Sequence, residues 1–63
     1  MENMRVLLVD DDIDLGGLIS MGLTSMGYEV HFQNSLVGMQ GIIEHFAPGV
    51  IVLDVEIGSR FLS

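Results

Sequence analysis

Two short apolar runs, Val6-Leu7-Leu8-Val9 and Val50-Ile51-Val52-Leu53, each stop at an aspartate, Asp10 and Asp54. Uninterrupted apolar runs of this length read as strands covered on both faces, the pattern of a parallel sheet. Tyr28 to Phe32, with aromatic and β-branched residues, reads as a strand between them. After the first strand, Leu15, Leu18, Ile19, Gly22, Leu23 and Met26 recur at spacings of three and four, one face of an amphipathic helix. Asp12 or Asp14 suits its start, where a carboxylate both caps the first turn and complements the helix dipole. Gly27 suits its end. Gly16 and Gly17 weaken it, each by about 1 kcal/mol relative to Ala. A second helix opens at Asn34 or Ser35, with Leu36, Met39, Ile43 and Phe46 as its apolar stripe. Gly38 and Gly41 make that helix poor on propensity alone, so packing has to hold it. Pro48-Gly49 closes it before the last strand. The element order is βαβαβ, which implies a parallel sheet with right-handed crossovers. No linker, repeat or low-complexity stretch interrupts it, and Gly58 to Ser63 shows no periodicity.

Length and charge narrow the picture. The 63 residues suffice for one domain at most, and a domain near that size buries only about 60% of its unfolded-chain surface. A composition that is 49% hydrophobic is too apolar for a disordered segment. There is no cysteine, so neither a disulfide nor a thiolate metal site forms. Two basic residues, Arg5 and Arg60, stand against nine acidic ones, for a net charge of −7. Nucleic-acid binding rests on Lys and Arg neutralising phosphates, so this segment is not expected to bind DNA, and an anionic membrane surface is disfavoured for the same reason. No apolar run approaches the roughly 18 residues of a spanning helix. The first run halts at three aspartates, unlike a signal-peptide core. A cytoplasmic location is therefore expected.

The densest chemical signal is Asp10-Asp11-Asp12, directly after a buried strand. In open α/β sheets, ligands bind beyond the carboxyl ends of the strands, where strand order reverses. If the second strand lies outside the first, the order is 2-1-3 and the reversal falls between strands one and three. That places Asp10, Asp11 and Asp54 at one crevice. Two carboxylates about 4 Å apart repel by about 4 kcal/mol at an effective dielectric of about 20, so such a cluster keeps a proton or binds a cation. All-oxygen donors with room for waters suit Mg²⁺ better than zinc, and a bound metal would neutralise charge on an incoming phosphoryl group. Three plainer patterns compete. Asp10 to Asp14 would also suit a solvated loop and helix cap, and Asp54 an ordinary strand-terminal residue, but the second strand-end aspartate would then be coincidence. Asp10-x-Asp12-x-Asp14 opens like an EF-hand, but the Gly and Glu that loop needs at its sixth and twelfth positions are here Leu15 and Met21. Asp10-x-Asp12 also matches the nucleophile motif of haloacid-dehalogenase-like phosphatases, but the residue after next is Asp14 where such enzymes usually show Thr or Val. His31 and His45 are isolated and read as surface or packing residues. The methionines read as core filler.

Three segments together carry a resemblance. Arg5-Val6-Leu7-Leu8-Val9-Asp10-Asp11-Asp12-Ile13-Asp14-Leu15, Met26-Gly27-Tyr28-Glu29-Val30 and Pro48-Gly49-Val50-Ile51-Val52-Leu53-Asp54 resemble the N-terminal half of response-regulator receiver domains, from Arg5 to about Ile57 without a gap. The resemblance implies an α/β, flavodoxin-like βαβαβ fragment with a parallel sheet in the order 2-1-3, residues 1–63 forming a truncated receiver domain. It further implies that Asp54 accepts a phosphoryl group from a sensor histidine kinase or phosphotransfer protein. Asp11 and Asp54 would hold Mg²⁺ directly, Asp10 through water, with the backbone carbonyl of Glu56 as a further ligand. Such a module is a phosphoacceptor in two-component signalling, not an enzyme in the turnover sense. The family's domain continues through two more strands and three more helices. The hydroxyl residue and the lysine that end its fourth and fifth strands have no counterpart among these residues. Gly58 stands where the family commonly has proline, and no motif gives Arg60 the lysine's role. The alternative is a receiver fragment that acts as a binding or assembly module without switching. An uncovered third strand would in either case favour a homo-oligomer.

Overall fold

The computed structural model describes residues 4–54; Glu56, Gly58 and Arg60 lie outside the described residues. Three strands, β1 (Arg5–Val9), β2 (Glu29–Gln33) and β3 (Val50–Leu53), alternate with helices α1 (Ile13–Ser25) and α2 (Met39–Phe46). The sheet is wholly parallel in the order β2-β1-β3. Chain direction across the sheet reverses after β2, so crossovers of one hand place the two helices on opposite faces. Register and packing agree with this. Phe32 pairs with Leu8 and meets α1 at Gly16, so α1 covers the Val6 and Leu8 face. Leu7 and Val9 point the other way, where Leu36, Met39 and Ile42 pack against them. Val6 to Val9 are buried, as the central position of β1 requires. No helix among the described residues is long and apolar enough to cross a membrane.

Local chemistry accounts for the helix ends. Asp12 is the N-cap of α1, its side chain accepting from the Leu15 N–H at 3.1 Å, and Asp14 lies in the first turn. At the other end Gly27 takes φ +97, its N–H donating to the Thr24 carbonyl, while the Tyr28 N–H donates to that of Leu23. These two bonds form a Schellman closure, whose left-handed residue favours glycine. Arg5 ties the far end of α2 to the sheet. Its Nη1 donates to the Phe46 carbonyl at 3.0 Å, its Nε to Glu29 at 2.8 Å, and its guanidinium lies 5.9 Å from the Phe46 ring centre. A cation at a helix C-terminus is favourably placed. His31 packs against the same ring, a packing role as expected, and His45 is exposed.

Four expectations need correction. The third strand is not covered on both faces: Val50 to Leu53 are 41–45% exposed, because among the described residues β3 is an outer strand and α1 lies over β2 and β1. The apolar stripe of α1 does not face the sheet as a whole. Leu15, Leu18 and Met26 are exposed, while Gly16 is buried and Leu23 half-buried. The helix sits closest at Gly16, which turns the predicted stripe partly outward. Helix α2 begins at Met39, not at Asn34 or Ser35. The Ser35 hydroxyl instead accepts from the Val37 N–H, the Gln33 side chain donates to the Ser35 and Val37 carbonyls, and Gly38 takes φ 75. These local bonds compete with a helical turn. The inner side of α2 is made by Met39 and Ile42, with Leu36 from the preceding turn, while Ile43 is exposed.

Candidate metal centre

The parallel register fixes the site. Val9 pairs with Leu53 across the β1–β3 boundary, so the residues that follow, Asp10 and Asp54, leave the sheet side by side. The Asp54 N–H donates to the Val9 carbonyl at 3.0 Å, and the Asp10 N–H to the Gln33 carbonyl at 3.2 Å. The three-strand ladder thus runs to the root of both side chains. This boundary is where strand order reverses, since β2 and β3 lie on opposite sides of β1. Such reversals leave a crevice at the carboxyl ends of the strands.

Asp10, Asp11 and Asp54 offer carboxylate oxygens that all lie within 4.8 Å of one another. Asp10 is buried, the other two half-buried. The Asp10 carboxylate is also held in place, with Oδ1 accepting from the Asp12 N–H at 3.0 Å. Burial of a carboxylate is costly unless it is hydrogen-bonded or paired, and that backbone contact meets part of the cost. The acidic run therefore divides its labour. Asp12 and Asp14 serve the helix start, as the plainer reading of a loop and cap has it, and Asp10 and Asp11 turn toward Asp54. Asp54 reaches the cluster from a segment more than forty residues away, through strand pairing alone.

The donor set fits a hard divalent cation. Octahedral Mg²⁺ with bonds of about 2.0–2.1 Å places opposite oxygens about 4 Å apart. Three carboxylate oxygens within 4.8 Å span nearly that distance, and a ligand acting through water relaxes the requirement further. Three oxygens and no nitrogen or sulfur favour Mg²⁺ over zinc or copper. The Glu56 carbonyl, the fourth expected ligand, lies outside the described residues. The structure brings together every expected site residue that it describes. Among the described residues Arg5 is the one Lys or Arg, and it is engaged at the amino end of β1, with Glu29 and Phe46, not at the acidic crevice.

Two contributors to the site were not apparent in the sequence. One is the bond from the Asp12 N–H to the Asp10 carboxylate, which ties the site acid to the backbone at the helix start and leaves the Asp12 side chain to the cap. The other is Gln33, whose carbonyl anchors Asp10 and whose side chain holds the β2–α2 turn. An Asp-x-Asp spacing hints at the first, because aspartate commonly bonds the backbone N–H two residues on. Nothing in the sequence singles out the second. Comparison of the chain with protein-family models, with curated proteins and with solved structures finds no match.

Proposed function

We propose that this chain is a phosphoacceptor module of the receiver type, in which Asp54 takes a phosphoryl group beside Mg²⁺ held by Asp10, Asp11 and Asp54. The observation that carries the reading is the convergence of three carboxylates from two separate strand ends, within 4.8 Å, at the crevice where strand order reverses. Asp11 and Asp54 would hold the ion directly and Asp10 through water, as the resemblance implies. Bound Mg²⁺ supplies positive charge that offsets the negative oxygens of an incoming phosphoryl group. A carboxylate oxygen of Asp54 attacks phosphorus in line. The bond from phosphorus to the leaving group breaks, an acyl phosphate forms on Asp54, and the proton needed by the leaving nitrogen of a phosphohistidine comes from water. Asp10 positions: its burial and its bond to the Asp12 N–H hold the carboxylate edge of the crevice. The donor is a sensor histidine kinase or phosphotransfer protein, and the setting is cytoplasmic two-component signalling.

Metal binding is the first test. A ligand that binds only the folded state stabilises it by about 1.4 kcal/mol at ten times its Kd. For a domain of this size that is a rise of several degrees in Tm, at roughly 4–8 °C per kcal/mol. Thermal unfolding with and without Mg²⁺ should show the rise in the wild type and lose it in Asp11→Ala. An equal rise in both would exclude the site.

A further inference from the structure

We propose that Gly16 and Phe32 are a positioning pair for the acidic crevice. The bare Cα of Gly16 against the Phe32 ring sets how deeply the first turn of α1 sits, and with it the place of Asp11 and the preference for Mg²⁺ over a larger cation. The inference rests on the metal reading proposed above.

The three carboxylates are not held alike. Asp10 and Asp54 leave the sheet from the ends of its ladder, the Asp10 N–H bonded to the Gln33 carbonyl and the Asp54 N–H to that of Val9. Asp11 stands one residue further on, in the link between β1 and α1. Its place therefore depends on where the helix begins as well as on where the strand ends. Two hydrogen bonds carry the placement of the helix into that link. The Gly16 N–H donates to the Asp12 carbonyl at 2.8 Å, and the Asp12 N–H donates to Asp10 Oδ1 at 3.0 Å. The helix in turn is set by its contact at Gly16. Phe32 of β2 pairs with Leu8 of β1, and its ring stands on the face that α1 covers. Gly16 is the one buried residue of α1, and a Cβ there would overlap the far end of the ring. At Gly17 a Cβ would meet open space. A side chain at position 16 has to push the ring or the helix away, and close-packed interiors transmit such strain.

Metal choice follows from that depth. Mg²⁺ demands near-ideal octahedral geometry with bonds of about 2.0–2.1 Å, whereas Ca²⁺ accepts bonds of about 2.3–2.6 Å and irregular geometry. The carboxylate oxygens of Asp10, Asp11 and Asp54 lie within 4.8 Å of one another, close to the span of about 4 Å across a Mg²⁺ octahedron. Lifting the first turn of α1 carries Asp11 away from two partners whose roots stay in the ladder. The set then widens, which harms the small, exacting ion more than the large, adaptable one.

Isothermal titration of the 63-residue chain with Mg²⁺ and with Ca²⁺, well below the unfolding transition, reads both Kd values. Gly16→Ala should raise the Kd for Mg²⁺ by at least about tenfold, the size typical of a lost supporting contact around a metal site. The Kd for Ca²⁺ should rise by a smaller factor. Gly17→Ala should change neither. Adding Phe32→Leu to Gly16→Ala makes room for the methyl group and should bring the preference for Mg²⁺ back toward that of the wild type. A purely structural role for Gly16 weakens both ions in proportion and leaves their ratio alone. If Gly16→Ala alone does not fold, the comparison runs within Phe32→Leu. There Gly16→Ala refills the space the ring has vacated, and the double variant should prefer Mg²⁺ more strongly than Phe32→Leu alone. A ratio of Mg²⁺ to Ca²⁺ affinity that stays the same through the series overturns the inference and leaves the metal reading standing. A wild type that binds no Mg²⁺ overturns both.

Discussion

Gly16 and Gly17 are adjacent in α1 and stand in different surroundings. A Cβ built on Gly16 meets the Phe32 ring at a distance no real contact allows, while one on Gly17 meets nothing within 4 Å. Gly16→Ala should therefore overpack the contact and cost about 1–3 kcal/mol. Gly17→Ala should stabilise the chain by about 0.5–1 kcal/mol, because alanine loses less freedom in a helix. Urea unfolding of the two variants checks this pair, and equal effects would mean that Phe32 is not where the helix touches the sheet. Sequence alone marked both glycines as weak points of the helix. It did not separate them, because the reason for Gly16 is an aromatic ring sixteen residues away. The aspartates divide by a comparable contrast. Asp12→Ala removes the cap and should cost about 1 kcal/mol, yet leave the Tm rise with Mg²⁺ intact. Asp11→Ala should do the reverse. A loss of the metal response in Asp12→Ala would show that cap and site are not separable.

The elements read from the hydrophobic pattern have the expected types and order, and their departures have local causes. Strand β1 is buried as its apolar run predicts, since a central strand has neighbours on both sides. The near-identical run of β3 has the pattern of a covered strand, yet its four residues are exposed, in line with the expectation of an uncovered third strand. A run of apolar residues records what the strand is able to bury, not what lies beside it. The end of α1 was legible because Gly27 has a single backbone role there, at φ +97. Gly27→Ala should cost about 1 kcal/mol or more, since an alanine strains in that conformation. A variant as stable as the wild type would mean that the helix has another way to close. The start of α2 was misplaced because Ser35 favours both caps and turns. The bonds from Gln33 and Ser35 resolve it as a turn, which a periodicity count does not weigh.

At the scale of the molecule, the site was the most legible feature. Two strand-end aspartates and a sheet order of 2-1-3 are enough to place Asp10, Asp11 and Asp54 together, and their oxygens do converge. The amino end of the sheet was not legible, because the Arg5 contacts with Glu29 and Phe46 join three elements distant in sequence. With so small a core, mass action should be visible. Mg²⁺ at ten times its Kd contributes about 1.4 kcal/mol, a sizeable share of what a marginal domain of this length has. The acceptor itself is tested by incubating the chain with acetyl phosphate, with and without Mg²⁺, and measuring intact mass and hydroxylamine sensitivity. The account predicts slow, incomplete addition of one phosphoryl group that requires Mg²⁺, is cleaved by hydroxylamine as an acyl phosphate is, and disappears in Asp54→Asn. Label that persists in Asp54→Asn, or that forms equally well without Mg²⁺, would contradict it.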